Sequence, residues 1–169
     1  ITLYPLDDHD VDSLLRNADI AMYRAKERGG NGYEFFSPDM TSNAQARLAT
    51  ENALRRALDR GEFELHYQPV VDLGSGRMKC IEALIRWRHP ERGLVPPAEF
   101  IPVAEETGLI EPIGDWVLRA ACRQCRDFGV PGDPPLRVAV NVSPRQFERG
   151  QILRAVTGAL EETGFDPHR

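Results

Sequence analysis

The chain has 169 residues, of which 41% are hydrophobic and 28% charged, a balance typical of a soluble globular protein. Its formal net charge of −5 argues against the basic surface that binds duplex nucleic acid. No apolar run approaches the ~20 residues that a membrane-spanning helix needs. Three cysteines are too few for a disulfide framework, so we expect a reducing, cytoplasmic setting for this piece.

The first segment, residues 1–37, reads as the end of a domain whose body lies upstream. The chain begins with Ile1 rather than Met, so we expect part of a longer protein. Asp10 is the predicted N-cap of a helix, and short strands are predicted at 1–3 and 33–36. The apolar stripe of that helix is formed by Val11, Leu14, Leu15, Ala18, Met22 and Ala25. One helix and two short strands bury too little apolar surface to fold alone.

Residues 38–60 are predicted to form a connecting helix. The helix pattern begins at Thr41 or Ser42, runs to Arg60 and is ended by Gly61. Its apolar stripe is thin, and its remaining positions include four arginines, one glutamate and one aspartate. A helix with one lightly apolar face suits a connector between two domains.

From residue 61 the pattern changes to alternating strands and helices. Strands are predicted at 63–71, 78–88 and 136–143, the first two forming an antiparallel hairpin around a turn at 72–76. Helices are predicted at 97–107, 110–128 and 151–163, with a loop at 129–135. Strands alternating with helices predict an α/β layer or barrel.

The strand at 78–88 carries two charged residues on one face. Side chains alternate between faces of a strand, so Glu82, Leu84 and Arg86 share one side. Glu82 and Arg86 lie ~13 Å apart at ~3.3 Å per residue, too far for a direct ion pair. Two interpretations stay open at this point: a solvent-facing side of the strand, which spacing alone favours, or a site with a carboxylate ligand and an anion-binding arginine.

Asn141 lies near the carboxyl end of its predicted strand, where α/β proteins place ligands. Alternatively it is a turn residue before Ser143 and Pro144, which could cap a following helix. The pattern alone favours the turn.

The remaining polar positions carry weaker patterns. Cys122 and Cys125 form a C-x-x-C inside a helix, but no second cysteine pair or spaced histidine pair accompanies them. We therefore interpret both as structural thiols, and Cys80 likewise. Lys26, at the end of the first helix, is by itself an ordinary lysine near a helix C-terminus.

The run EALIRWRHP at residues 82–90 resembles the signature of the EAL-domain cyclic-di-GMP phosphodiesterases. Further blocks of that family's pattern occur in order: YQPVVD at 67–72, GLVPP at 93–97, FIPVAE at 100–105 followed by GLI at 108–110, and NVS at 141–143 after Val140. The resemblance therefore extends over residues 51–169 and does not depend on one tripeptide.

The EAL resemblance implies a fold, a reaction and a site. The fold is the N-terminal part of a (β/α)8 barrel, and the parent protein would hydrolyse cyclic-di-GMP to linear pGpG. Glu82 and Asn141 match metal ligands of a two-metal Mg²⁺ or Mn²⁺ site whose other ligands would lie beyond residue 169. Arg86 matches the residue that meets the substrate phosphate, and Leu84 and Gln68 match substrate-side positions. The 169-residue piece alone is expected to be inactive.

Residues 1–37 resemble the C-terminal end of a GGDEF domain, an α+β, cyclase-like fold. The match comprises ADIAMYRAK at 18–26, Asn31, YEFF at 33–36 and Tyr4-Pro5. Lys26 would be a phosphate contact of that domain. The GGDEF motif itself is absent, and Gly30 stands where the family usually has an arginine that assists phosphate binding. Arg28 lies about 200° around a helix from that position and does not simply replace it.

These resemblances predict three segments: a GGDEF tail at 1–37, a connecting helix at 38–60 and a truncated EAL domain at 61–169. The expected partner is cyclic-di-GMP, with a homodimer through either domain as a further expectation. The parent could carry an upstream membrane or sensor domain. Two other functions stay open: a catalytically inactive cyclic-di-GMP receptor acting through partners, and a diguanylate cyclase with a bystander EAL domain.

Overall fold

The computed structural model describes residues 1–27, 29–126, 128, 135–148 and 150–169, with the backbone alone described for residues 27, 43 and 148. The chain divides into two compact units, Ile1–Asn52 and Ala53–Arg169. Within the described residues, no helix is both long and apolar enough to cross a membrane.

The first unit is built on helix α1, Val11–Glu27, and the start of helix α2, Pro38–Ala57. Asp10 caps α1 as predicted, because its Oδ2 accepts a hydrogen bond of 3.0 Å from the Ser13 backbone N–H. The strands predicted at 1–3 and 33–36 are wrong. The Ile1 backbone nitrogen donates to the Glu34 carbonyl at 2.7 Å and the Phe36 N–H donates to the Ile1 carbonyl at 2.8 Å, and these segments form no strand.

Helix α2 begins and ends earlier than its pattern predicts. It starts at Pro38, since proline at the first helical position loses no intrahelical hydrogen bond. It ends at Ala57, and Gly61 then adopts a left-handed φ of 64°, which favours glycine.

The second unit is a four-stranded mixed sheet with four helices among its described residues. Its elements in chain order are β1 (Phe63–Val71), β2 (Met78–His89), β3 (Gly93–Val95), α3 (Pro97–Thr107), α4 (Ile110–Cys125), β4 (Arg137–Val140), α5 (Pro144–Glu148) and α6 (Ile152–Thr163). Strand β2 is central. It pairs antiparallel with β1 along its length, antiparallel with β3 near its carboxyl end, and parallel with β4 at residues 80–83.

The predicted α/β alternation and the β1–β2 hairpin are confirmed. Strand β3 and helix α5 were not predicted, and β4 is shorter than the predicted 136–143. Helix α4 ends at Cys125 rather than at Phe128. The predicted loop at 129–135 lies outside the described residues except for Pro135.

The core lies between the sheet and the helices, on the face of β2 that carries Ile81, Ala83 and Trp87. Trp87 is fully buried, its ring centroid is 5.7 Å from that of Phe100, and its Nε1 donates to Glu62 Oε2 at 3.0 Å. This leaves the opposite face of β2, with Glu82, Leu84 and Arg86, half-buried and polar. The alternation in the sequence thus correctly predicts which face of β2 packs against the core and which face is polar.

The last turn of α2 belongs to this core, because Leu54 is fully buried against it. We expect Leu54→Ala to lower the free energy of unfolding by about 2–5 kcal/mol, through lost burial and a cavity. Leu48→Ala, on the same helix but 59% exposed, should change it by less than about 0.5 kcal/mol. Urea unfolding of the purified protein measures both, and equal small effects would remove α2 from the core.

Candidate functional site

The polar face of β2 is continued across the sheet by β1. In the antiparallel register Gln68 is opposite Glu82, His66 is opposite Leu84, and Glu64 is opposite Arg86. Residues directly opposite each other project from the same face. Four of the predicted site residues, Gln68, Glu82, Leu84 and Arg86, therefore share one face of the sheet.

Asn141 is brought to this face by the parallel pairing of β4 with β2. Val140 is the register partner of Ala83, and Asn141 follows it directly. The Asn141 side chain is exposed, and its Nδ2 donates to Glu82 Oε1 at 2.6 Å. Two residues separated by 59 positions in the chain thus form a direct side-chain pair.

The Glu82–Asn141 pair offers oxygen donors of the kind that hard divalent cations prefer. A carboxylate and an amide carbonyl suit Mg²⁺ or Mn²⁺ better than softer metals. The described residues contain no group of three or more His, Cys, Asp or Glu side chains that could hold a metal ion. The pair therefore fits one part of a metal site, and a complete site needs further donors.

Arg86 is available to an anion on this face. It is half-buried, and its Nη1 donates to the Ile85 carbonyl at 2.8 Å. No ion pair among the described residues includes it, whereas Arg88 donates to both Glu64 oxygens at 2.9 Å. His66 and Arg88 together hold the pKa of Glu64 below its usual range. Glu64 is thus hydrogen-bonded to Arg88 and His66. Arg86 forms no ion pair with any carboxylate among the described residues.

The C-x-x-C pair lies on α4, with Cys125 buried and Cys122 half-buried. Burial raises the pKa of both thiols. The hydroxyl of Tyr67 donates to Gln124 Oε1 at 2.7 Å, and burial raises the pKa of this tyrosine as well. Reactive and metal-binding cysteines have lowered rather than raised pKa values, so this cluster supports a packing role.

Lys26 is exposed in the last turn of α1, where its charge favours the helix C-terminus. Gly30 has a φ of 72°, a conformation that glycine accepts readily. Arg28 lies outside the described residues. The role of Lys26 as a phosphate contact stays a prediction.

Glu105 and Gln146 were not among the residues that the sequence singled out near Asn141, and Ser143 was named only as part of a turn before a helix. Ser143 Oγ donates to Glu105 Oε1 at 2.7 Å, and the Ser143 N–H donates to Gln146 Oε1 at 3.0 Å. The serine, proline and glutamine at 143, 144 and 146 form a helix-start pattern that was available in the sequence. Only its link to Glu105, 38 residues earlier, required the structure.

A cleft of about 770 Å³ lies among α4, α5 and α6 and contains none of the predicted site residues. Its charged lining is Glu111, Asp115, Arg119 and Arg154. Arg119 is already paired with Asp115 at 3.0 Å and with Glu162. The predicted site residues therefore lie on the polar face of the sheet and not in this cleft.

Comparison with known proteins gives a family match: the EAL domain model covers residues 51–169. The bifunctional diguanylate cyclase/cyclic di-GMP phosphodiesterase MucR of Pseudomonas aeruginosa is 46% identical over 167 residues, 99% of this chain and 24% of the relative. The cyclic di-GMP phosphodiesterase NbdA of the same organism is 42% identical over 165 residues, which are 98% of this chain and 21% of the relative.

A solved structure of the MucR phosphodiesterase in complex with c-di-GMP is 44% identical, with a TM-score of 0.66 over 70% of this chain and 48% of that one. The chain spans about a fifth to a quarter of the length of the curated relatives it matches.

Proposed function

The chain belongs to the EAL-domain family, and from that membership we propose that the full-length protein hydrolyses cyclic-di-GMP to linear pGpG. The observation that carries the proposal is the Asn141 Nδ2 to Glu82 Oε1 contact of 2.6 Å on the face that also presents Arg86. Relatives named as cyclic di-GMP phosphodiesterases support it, as does the c-di-GMP complex of the MucR phosphodiesterase.

We propose that Glu82 and Asn141 are two ligands of a divalent-cation site for Mg²⁺ or Mn²⁺, completed by residues beyond 169. Glu82 and Asn141 would hold such a cation, which would supply activation of a water and charge stabilisation at the leaving oxygen of a phosphodiester. Within this chain, the Asn141 amide orients Glu82 by donating to one of its oxygens. A fixed carboxylate loses less conformational entropy when it binds a cation.

The substrate contacts proposed on this face come from Arg86, Leu84 and Gln68. The guanidinium of Arg86 is a planar donor that matches phosphate oxygens in two-pronged geometry. Leu84 lies between Glu82 and Arg86 on the same face and offers apolar contact to the nucleotide. Gln68, exposed and opposite Glu82, offers an amide for hydrogen bonds at the rim.

The wider architecture belongs to the same proposal. Residues 1–37 would be the end of a GGDEF domain with Lys26 as a phosphate contact, residues 38–60 a connecting helix, and residues 61–169 the first part of a (β/α)8 barrel. The alignment with MucR supports the tandem order because it includes residues upstream of the EAL match and covers 99% of the chain. A cytoplasmic location of this piece and a homodimer through either domain are further parts of the proposal.

The test is incubation of the purified full-length protein with cyclic-di-GMP and Mn²⁺, with separation of the nucleotides by chromatography. We expect linear pGpG to form with Mn²⁺ and to be abolished by a chelator. Tight binding of cyclic-di-GMP without any pGpG would contradict the proposal and favour the receptor alternative.

A further inference from the structure

The turn that follows Asn141 is a capping box. Ser143 is the N-cap of α5: its Oγ accepts from the Arg145 N–H at 3.3 Å, and its own N–H donates to Gln146 Oε1 at 3.0 Å. Pro144 occupies the first helical position, where a missing N–H costs nothing. Reciprocal bonds of this kind satisfy two otherwise unpaired donors and fix the direction in which the chain enters the helix.

The capping box is anchored to helix α3 through Glu105. Ser143 Oγ donates to Glu105 Oε1 at 2.7 Å, in a partly buried position. Arg145 Nη1 donates to the backbone carbonyl of the same residue. The turn is thus held by one hydrogen bond to a carboxylate and by a second to the main chain of α3.

The capping box is anchored to helix α4 through Gln146. This side chain is only 6% exposed and lies directly over Gly114, where an added Cβ would be 2.1 Å from Gln146 Nε2. Glycine inside a helix costs about 1 kcal/mol relative to alanine. The close approach explains why a glycine is present here, since no other residue leaves room for the buried amide.

Asn141 lies between two fixed points, the β4 ladder that ends at Val140 and the Ser143 cap two residues later. Among the described residues, the Asn141 side chain forms one hydrogen bond, which it donates to Glu82. Because the side chain is otherwise exposed, the backbone on both sides must determine where it points. Loosening either end would let it leave Glu82.

We propose that Ser143, Gln146 and Gly114 are positioning residues that hold the Asn141 amide beside Glu82 and so set the affinity of the site for a divalent cation. The inference rests on the proposed function, which gives Asn141 its role as a ligand. It adds residues that never touch the cation or the substrate. They act through the geometry of one turn.

The test is calorimetric titration of Mn²⁺ into the full-length protein without substrate, together with the unfolding midpoint. Ser143→Ala should weaken Mn²⁺ binding by about 5- to 10-fold, since an N-cap is worth ~1 kcal/mol and partners that orient metal ligands typically change affinity tenfold or more. Ser143→Thr keeps the hydroxyl and should stay within about 2-fold of the parent protein.

Gly114→Ala provides an independent variant that changes no residue of the turn and perturbs the turn only through the Gln146 side chain. Alanine raises helix propensity, but its Cβ must displace the Gln146 amide, so Mn²⁺ affinity should fall without a loss of helix stability. Thr157→Ala is the control for Ser143→Ala, because it likewise removes one hydroxyl, which here donates to the Leu153 carbonyl at 2.8 Å on the exposed side of α6. It should leave Mn²⁺ binding unchanged.

The variant Asn141→Ala distinguishes a failure of the positioning inference from a failure of the proposed metal site. If Asn141→Ala weakens Mn²⁺ binding and neither Ser143→Ala nor Gly114→Ala does so, the positioning inference is wrong and the metal site stands. If Asn141→Ala itself leaves the affinity unchanged, the proposed metal site is wrong and the inference is overturned with it.

Discussion

The full-length protein carrying Glu82→Gln is expected to lose at least about 10- to 100-fold of its cyclic-di-GMP turnover and to bind Mn²⁺ more weakly. Glutamine keeps the shape of the side chain and an Oε1 acceptor for the Asn141 amide, which donates to this position at 2.6 Å. It removes the negative charge that faces the cation. Loss of a partner that merely orients a ligand costs 10- to 100-fold, so loss of a ligand's charge should cost at least as much.

The metal dependence identifies the cause of that loss. Raising Mn²⁺ should recover part of the Glu82→Gln turnover, because the remaining ligands still define the site. The matched control is Glu91→Gln, an exposed carboxylate in the turn between β2 and β3, which should behave like the parent protein. Undiminished turnover of Glu82→Gln at limiting Mn²⁺ would remove Glu82 from the proposed metal site.

Arg86→Ala should also lower cyclic-di-GMP turnover, but added Mn²⁺ should not restore it, in contrast to Glu82→Gln. A charge-assisted hydrogen bond is worth about 1.5–3 kcal/mol, which corresponds to ~10- to 150-fold in turnover at limiting substrate. The change removes a phosphate partner but no metal ligand. Steady-state rates of pGpG formation at low substrate and saturating Mn²⁺ measure it.

Arg88→Ala is the control for charge on the same strand face. Arg88 is exposed and already bonded to both oxygens of Glu64, so its removal deletes a surface ion pair that contributes little to stability. We expect it to change turnover far less than Arg86→Ala. Equal losses for the two variants would mean that Arg86 has no specific role beyond its positive charge.

Much of the fold follows from local patterns that the sequence displays. Period-two alternation along β2 predicts that Trp87 enters the core while Glu82 and Arg86 take the opposite face, and both outcomes are observed. The apolar stripes of α3, α4 and α6 predict those helices with ends within a few residues. Strand β3 was missed because three residues are too few for a periodic pattern.

The contact between Glu82 and Asn141 could not be predicted from periodicity. Local patterns place each residue on a strand face, but they do not determine that β4 pairs with β2 in parallel, or in which register. That pairing joins residues 59 positions apart. The family resemblance named both residues as ligands, and the sheet register gives the physical reason why they are neighbours.

The segments at 1–3 and 33–36 were predicted as strands, but no strand forms there. Their β-branched and aromatic residues favour a strand, and backbone hydrogen bonds do join Ile1 to Glu34 and to Phe36. Propensity describes a local preference, and a ladder needs more pairs than these two bonds supply.

A double-mutant cycle on Glu82 and Asn141 tests most directly the central claim that these two residues act as one metal-binding unit. The rate of pGpG formation at limiting Mn²⁺ is measured for the full-length protein, Glu82→Gln, Asn141→Ala and the double variant. Residues in contact that act together show coupling of about 0.5–3 kcal/mol, so we predict that the double variant loses little more than Glu82→Gln alone. A loss in the double variant equal to the product of the two single losses would show that they act independently, and it would contradict the claim.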